Sequence, residues 1–297
     1  MPYSLLSRFQ GSLCSAALVR CAFDRWQSLK SEPTSGSRLD GIDPDCDFDQ
    51  TLSDTVLATL IQHGQPGIHL EIDRQPALRE SEVDCWTAFV AIALFFHEDN
   101  ARRRQGIEKL GKTISLSPAS IDAADAVGYA IACILHDDLD PSALIPQTIA
   151  YLTEIEADAT VRQQLATGQT LLDRGASLEE TRTVFARQKA TLDPSLTGVG
   201  QAIALAFYCF LSTPEDWRLS VGRSLQLSER SPLAPFVAGT LSGAYNTLSG
   251  IPGEWRMAEI NSLRQAASRL YAAWAGVCHP HEIASEWGLP AVATPRR

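Results

Sequence analysis

The chain lacks the features that would make its class obvious. The apolar start "MPYSLLSRFQGSLCSAALVRCAFDRW" is broken by Arg8, Gln10, Arg20, Asp24 and Arg25 well short of the roughly 18 apolar residues a membrane-spanning helix needs. It has neither the basic start nor the small-residue cleavage site of a signal peptide, and reads as a first core helix. Basic charge is short: 25 Lys and Arg face 35 Asp and Glu, a net charge of −10. That balance argues against a general nucleic-acid or anionic-membrane surface, because those partners are anionic too. Seven cysteines form no CxxC…CxxC frame, and most lie in apolar helical runs, as buried reduced thiols do in a cytoplasmic protein. Cys133/His136 and "CHPH" at 278–281 are each half of a zinc site without its other half. There is no G-x-S-x-G elbow, no fixed-period repeat, and no period-two alternation to make a sheet.

What remains is helical periodicity within a 45% hydrophobic chain. Helices are predicted at 3–27, 50–63, 82–97, 100–112, 118–136, 142–156, 159–173, 177–190, 198–211, 213–227, 234–248 and from Pro252 to about 277. In "STPEDW", Thr213 is the expected cap and Pro214 the first helical residue. Small residues at 11, 12, 15 and 16 would admit a close helix, and Gly239-x-x-x-Gly243 would do the same inside a core. The expectation is one all-α domain over 1–287, with an acidic Ser/Pro/Gly loop at 28–49 and a loose tail at 288–297. "ARRRQ" (101–105) reads as a solvated helix face, and the tryptophans as core or helix-junction anchors.

"DPDCDFDQTLSDT" (43–55) packs five aspartates ahead of a helix and poses the question of metal binding. Asp43, Asp45, Asp47 and Asp54 have the spacing of a calcium loop. Phe48 stands where that loop needs Gly, and Asp54 is too short for the closing bidentate Glu. A solvated loop with Asp49 near a helix start fits better.

"VAGTLSGAYNTLSGIPGEWR" (237–256), with Ile251, Pro252 and Trp255, resembles the closing signature of the ADP-ribosylglycohydrolase family. "RFQGSLCSAALVR" (8–20), "VAIALFFHEDNARR" (90–103), "LSPASIDAADAVGYAIACIL" (116–135) and "ALAFYCFLSTPEDW" (204–217) resemble further family segments in the same order. The resemblance implies a compact all-α fold whose cleft holds two magnesium ions and hydrolyses the bond between ADP-ribose and a protein side chain. Magnesium needs several converging hard oxygens.

Taken position by position, the resemblance also implies that most of those ligands are gone. The family's T-D-D-T run falls on Leu52, Ser53, Asp54 and Thr55. Its G-G-D-T-D-T run falls on Ser228, Glu229, Arg230, Ser231, Pro232 and Leu233. The first-helix G-D becomes Val19-Arg20, the Glu seven residues later becomes Gln27, the His of T-H-P becomes Ser117, and the substrate-side G-N-G run falls near Glu82-Val83-Asp84. A guanidinium cannot ligate a cation. The expectation is therefore a catalytically inactive member with no catalytic residues, no metal and no cofactor. Asp54, Thr55, Gln27, Ser117 and Ser231 are its residual cleft positions. It would bind a protein partner, or an anionic or nucleotide ligand through Arg20 and Arg230, or those arginines would pair with Asp24 or Asp54. The alternative is a magnesium-dependent hydrolase with ligands rearranged among Asp54, Asp84, Glu82 and the 43–49 acids.

Overall fold

The computed structural model describes residues 3–31, 51–64, 82–136, 139–191, 194–228, 231–253 and 260–277. Among these there are twelve α-helices and no strand. They are α1 Leu5–Ser31, α2 Thr51–His63, α3 Glu82–Phe95, α4 Asn100–Thr113, α5 Pro118–Leu135, α6 Leu144–Glu154, α7 Ala159–Asp173, α8 Leu178–Thr191, α9 Pro194–Ser212, α10 Trp217–Leu227, α11 Leu233–Asn246 and α12 Ile260–Trp274. The all-α expectation holds. One continuous hydrophobic core extends from Phe9 to Leu270, and a smaller cluster gathers around Trp217.

α11 is the axis of the fold. Every residue from Leu233 to Ala244 is buried, as in a helix enclosed on all sides. Two of its hydroxyls are satisfied locally: Thr240 Oγ1 donates to the Phe236 carbonyl at 2.8 Å, and Ser242 Oγ accepts from Asn246 Nδ2 at 3.0 Å.

α1 lies antiparallel against α11 along a seam of small residues. A β-carbon on Gly11 would sit 2.6 Å from the Thr247 carbonyl carbon and in collision with the Gly243 oxygen. One on Gly243 would meet Ser15 Oγ and the Gly11 carbonyl, and one on Gly239 would strike Val19 Cγ2. The pairs 11–243, 15–243 and 19–239 fix the direction of the two helices. Thr247 closes α11 at φ 61°, an uncommon conformation for a β-branched residue, directly above Gly11. Trp217 ties α10 to the same seam: it is 1% exposed and its indole N–H donates to Ser15 Oγ at 2.9 Å.

Several sequence expectations need correction. α1 continues through Ser31, so residues 28–31 are helical rather than loop; the rest of the 28–49 loop, including Asp43–Asp49, lies outside the described residues, as does the 288–297 tail. Thr213 and Pro214 do not open α10. They form a turn closed by Asp216 N–H to the Thr213 carbonyl at 3.2 Å, and Asp216 is the cap, accepting from Leu219 N–H at 2.9 Å. Proline's fixed φ serves the first inner position of a turn as well as a helix start, and the better capping side chain decides.

"ARRRQ" is not uniformly solvated either. Arg102 is exposed, but Arg103 is wholly buried, because a 100° step turns it from water onto α5. There it faces Asp125, 3.5 Å from Nε to Oδ1, and lies over the stacked rings of Tyr129 and Tyr151 at 5.5 and 5.3 Å. Tyr151 donates to Asp125 Oδ2 at 2.7 Å, and Arg104 approaches the same oxygen. This buried ion pair also explains α5, the one described helix long and apolar enough to cross a membrane. It packs among α3, α4, α6, α9 and α11 and carries a charge inward.

Cys14, Cys21 and Cys209 are buried, and Cys85 and Cys133 are half-buried. Trp86 is buried in the main core.

Candidate functional site

The residues singled out by sequence reach the ends of the central helices by different routes. Extending the antiparallel register of 15–243 and 19–239 by two turns sets position 231 level with position 27. Gln27 and Ser231 therefore share one end of the pair. Ser231 has a local task there: its Oγ accepts from Leu233 N–H at 3.2 Å and opens α11. Arg230, and Glu229 beside it, lie outside the described residues.

Arg20 is half-buried on α1, and the acid it influences is Asp24, one turn further on. Burial raises the Asp24 pKa above the ordinary carboxylate value and the Arg20 charge opposes that rise. Val19 is fully buried in the seam.

Asp54 sits in the first turn of α2, exposed, with Thr55 beside it. Withdrawal of its carboxyl from water, and then the negative charge of Asp84, hold its pKa above the usual range.

Asp84 is the residue that sequence reasoning undervalued. It is 2% exposed and reaches from α3 to the start of α2, where Oδ2 accepts from Leu52 N–H at 3.0 Å and Oδ1 from Ser53 N–H at 3.1 Å. Both oxygens thus cap unsatisfied donors at the positive end of a helix dipole. The only available signal was an Asp at the third position of an apolar helix.

Ser117 is exposed and caps α5, accepting from Ser120 N–H at 3.2 Å. α3 and α5 run parallel. Their last turns meet the start of α1, through His97 against Phe9 and Arg8 against the Ile134 carbonyl, and Ala93 abuts Gly128 between them. Asp84 and Ser117 therefore lie at the same, opposite end of that helix pair.

Can these positions hold two magnesium ions? Around α1, α2 and α11 the matching side chains are a buried valine, a half-buried arginine, an amide, a serine with a capping role, a proline and a buried leucine. Among the described residues at these positions, Asp54 and Thr55 supply the remaining hard oxygens. Among the described residues, no three His, Cys, Asp or Glu side chains come together as a metal site. The donors among the described residues do not fit a pair of dications, which need converging anionic oxygens.

A model of the ADP-ribosylglycohydrolase family matches residues 4–280 of the 297. The chain belongs to this family. No curated protein matches it. The match spans all twelve helices, so this family member carries the fold throughout, including the segments in which the sequence departs from the magnesium-binding pattern.

Proposed function

We propose that this ADP-ribosylglycohydrolase-family chain has no glycohydrolase activity and works by binding a protein partner or an anionic ligand in or near the former cleft. The observation that carries this reading is the donor set at the helix ends. Among the described residues at the matched positions, one exposed carboxylate, Asp54, stands where several would have to converge. The nearest buried carboxylate, Asp84, has both oxygens committed to the backbone of α2.

Loss of the metal sites changes the electrostatics of the cleft rather than merely emptying it. Relatives balance acid against dication; here Arg20 and Arg230 replace acid with cation, so what the cleft attracts is an anion. On this reading the protein uses no magnesium and no other cofactor.

The test is incubation of the protein with magnesium and an ADP-ribosylated protein, followed by measurement of free ADP-ribose. No magnesium-dependent release above the background of Asp54→Ala is expected. Release that requires both magnesium and Asp54 would establish the rearranged hydrolase instead. Titration with ADP-ribose separates the two binding versions: heat of binding that is lost in Arg20→Ala supports the anionic ligand, and no heat leaves the protein partner.

A further inference from the structure

A second cleft is lined by none of the residues just described. Its volume is about 710 Å³, and it is framed by the end of α7, the start of α8, the end of α9 and the middle of α10. The size is that of a small-molecule site. Its floor is apolar, built from Leu171, Leu172, Leu178 and Leu211.

The hydrogen-bonding capacity of the walls is uneven. Asp140 is already supplied by Ser142, through its N–H at 2.9 Å and its hydroxyl at 2.7 Å. Asp173 accepts from Gln169 Nε2 at 2.7 Å. Tyr208 donates its hydroxyl to the Ala176 carbonyl, and Ser177 Oγ accepts from Glu180 N–H at 3.2 Å. These groups have partners within the fold.

Arg223 differs. It is half-buried in the cleft wall, and its one bond is from Nη1 to the neutral Ser212 Oγ at 2.7 Å. Among the described residues no carboxylate lies within ion-pairing distance of it. A guanidinium carries five N–H donors, so four remain to be used, and its unbonded nitrogens are not sealed from solvent. An arginine presented over an apolar floor with its donors unspent is suited to a carboxylate or phosphate.

We infer that this cleft is a binding site for a small anionic molecule with an apolar body, its carboxylate or phosphate held by Arg223 and its body lying on Leu172, Leu178 and Leu211. The acids at the rim set the selectivity. Asp140 and Asp173 disfavour a second negative group, so the ligand is singly headed. The site is independent of the former cleft and does not rest on the loss of hydrolysis.

The experiment is calorimetric titration of the full chain at low salt with hexanoate, hexyl phosphate and hexanol. Three proteins are compared: the natural chain, Arg223→Gln, and Ser142→Trp, which obstructs the cleft from an exposed position without touching Arg223. Saturable binding of hexanoate or hexyl phosphate is expected, weakened at least tenfold in both variants, with hexanol binding weakly or not at all. Whichever anion binds names the headgroup. Arg102→Gln, on exposed α4, should leave the affinity unchanged and excludes a general charge effect. No saturable binding of either anion, equal binding by hexanol, or unchanged affinity in Arg223→Gln would overturn the assignment. Should Arg223→Gln melt early, Ser142→Trp decides alone.

Discussion

Along the α1–α11 seam, Gly11, Ser15, Gly239 and Gly243 leave no space for larger side chains. Further along α1, Arg20 and Gln27 occupy half-buried positions. The same two helices carry both regions, but different physics governs them. In the seam, backbone meets backbone, and a single added carbon forces whole helices apart. At the ends, side chains meet water or cap a neighbouring helix, and their identity can change while the fold stays. A family fold can therefore tolerate changes of residue at its helix ends.

Substitutions can break or sharpen that contrast. The largest effect is expected in the seam: Gly11→Val should destabilise by at least about 3 kcal/mol through overpacking against backbone that cannot yield, read as a lost or strongly lowered urea midpoint. Next is the buried pair inside α4 and α5. Asp125→Ala strands the wholly buried Arg103 and should cost about 3–5 kcal/mol, whereas replacing both partners with apolar residues should recover much of the loss.

At the cleft end, Asp84→Ala removes two buried bonds to the start of α2 and should cost about 2–3 kcal/mol. Hydrogen exchange at Leu52 and Ser53 would accelerate before that of the α11 core. Equal acceleration in both places would contradict the local capping role.

His97 gives a pH-dependent effect. It is 5% exposed, with Nδ1 on the Leu94 carbonyl at 2.8 Å and its ring against Phe9 and Trp274. Burial lowers its pKa, opposed by the Leu94 bond and Glu98 and aided by His136. The unfolded ring therefore binds a proton more readily than the native one. Its contribution is fully present above the ordinary value of about 6.5 and is lost as pH falls below it. His97→Phe should flatten that part of a melting-temperature profile.

The smallest effect belongs to Asp54. Its raised pKa means that the native carboxyl holds its proton longer, so ionisation costs stability as pH rises from about 3.9 through the raised value. Asp54→Asn should be neutral or slightly stabilising at pH 7, by no more than about 0.5 kcal/mol at so exposed a position. A clear loss of stability there would indicate a role for the carboxylate that the geometry does not give it.

Much of this was legible in the chain itself. The helix at 159–173 was placed to the residue, and most others to within two or three, because long amphipathic segments carry their period locally. The glycine spacing 239–243 announced a close helix contact because only a missing side chain allows one. His97, the last residue of the helix predicted over 82–97, binds the last-turn carbonyl of α3. The failures share one cause. Thr213–Asp216, Arg103 and Asp84 each needed knowledge of which neighbour they would meet. A capping residue competes with others nearby, and a buried arginine looks like a surface one until its acid is known.

The sequence by itself determined the helices, their small-residue seam and the poverty of acidic ligands at the matched family positions, since these depend on residue type and spacing along one chain. Only the tertiary structure decided that Asp84 is consumed in capping α2, that Arg103 is buried against Asp125, and that Arg223 overlooks a cleft with donors to spare. Each depends on groups distant in sequence sharing a few ångströms of space, where desolvation makes every unmatched charge count.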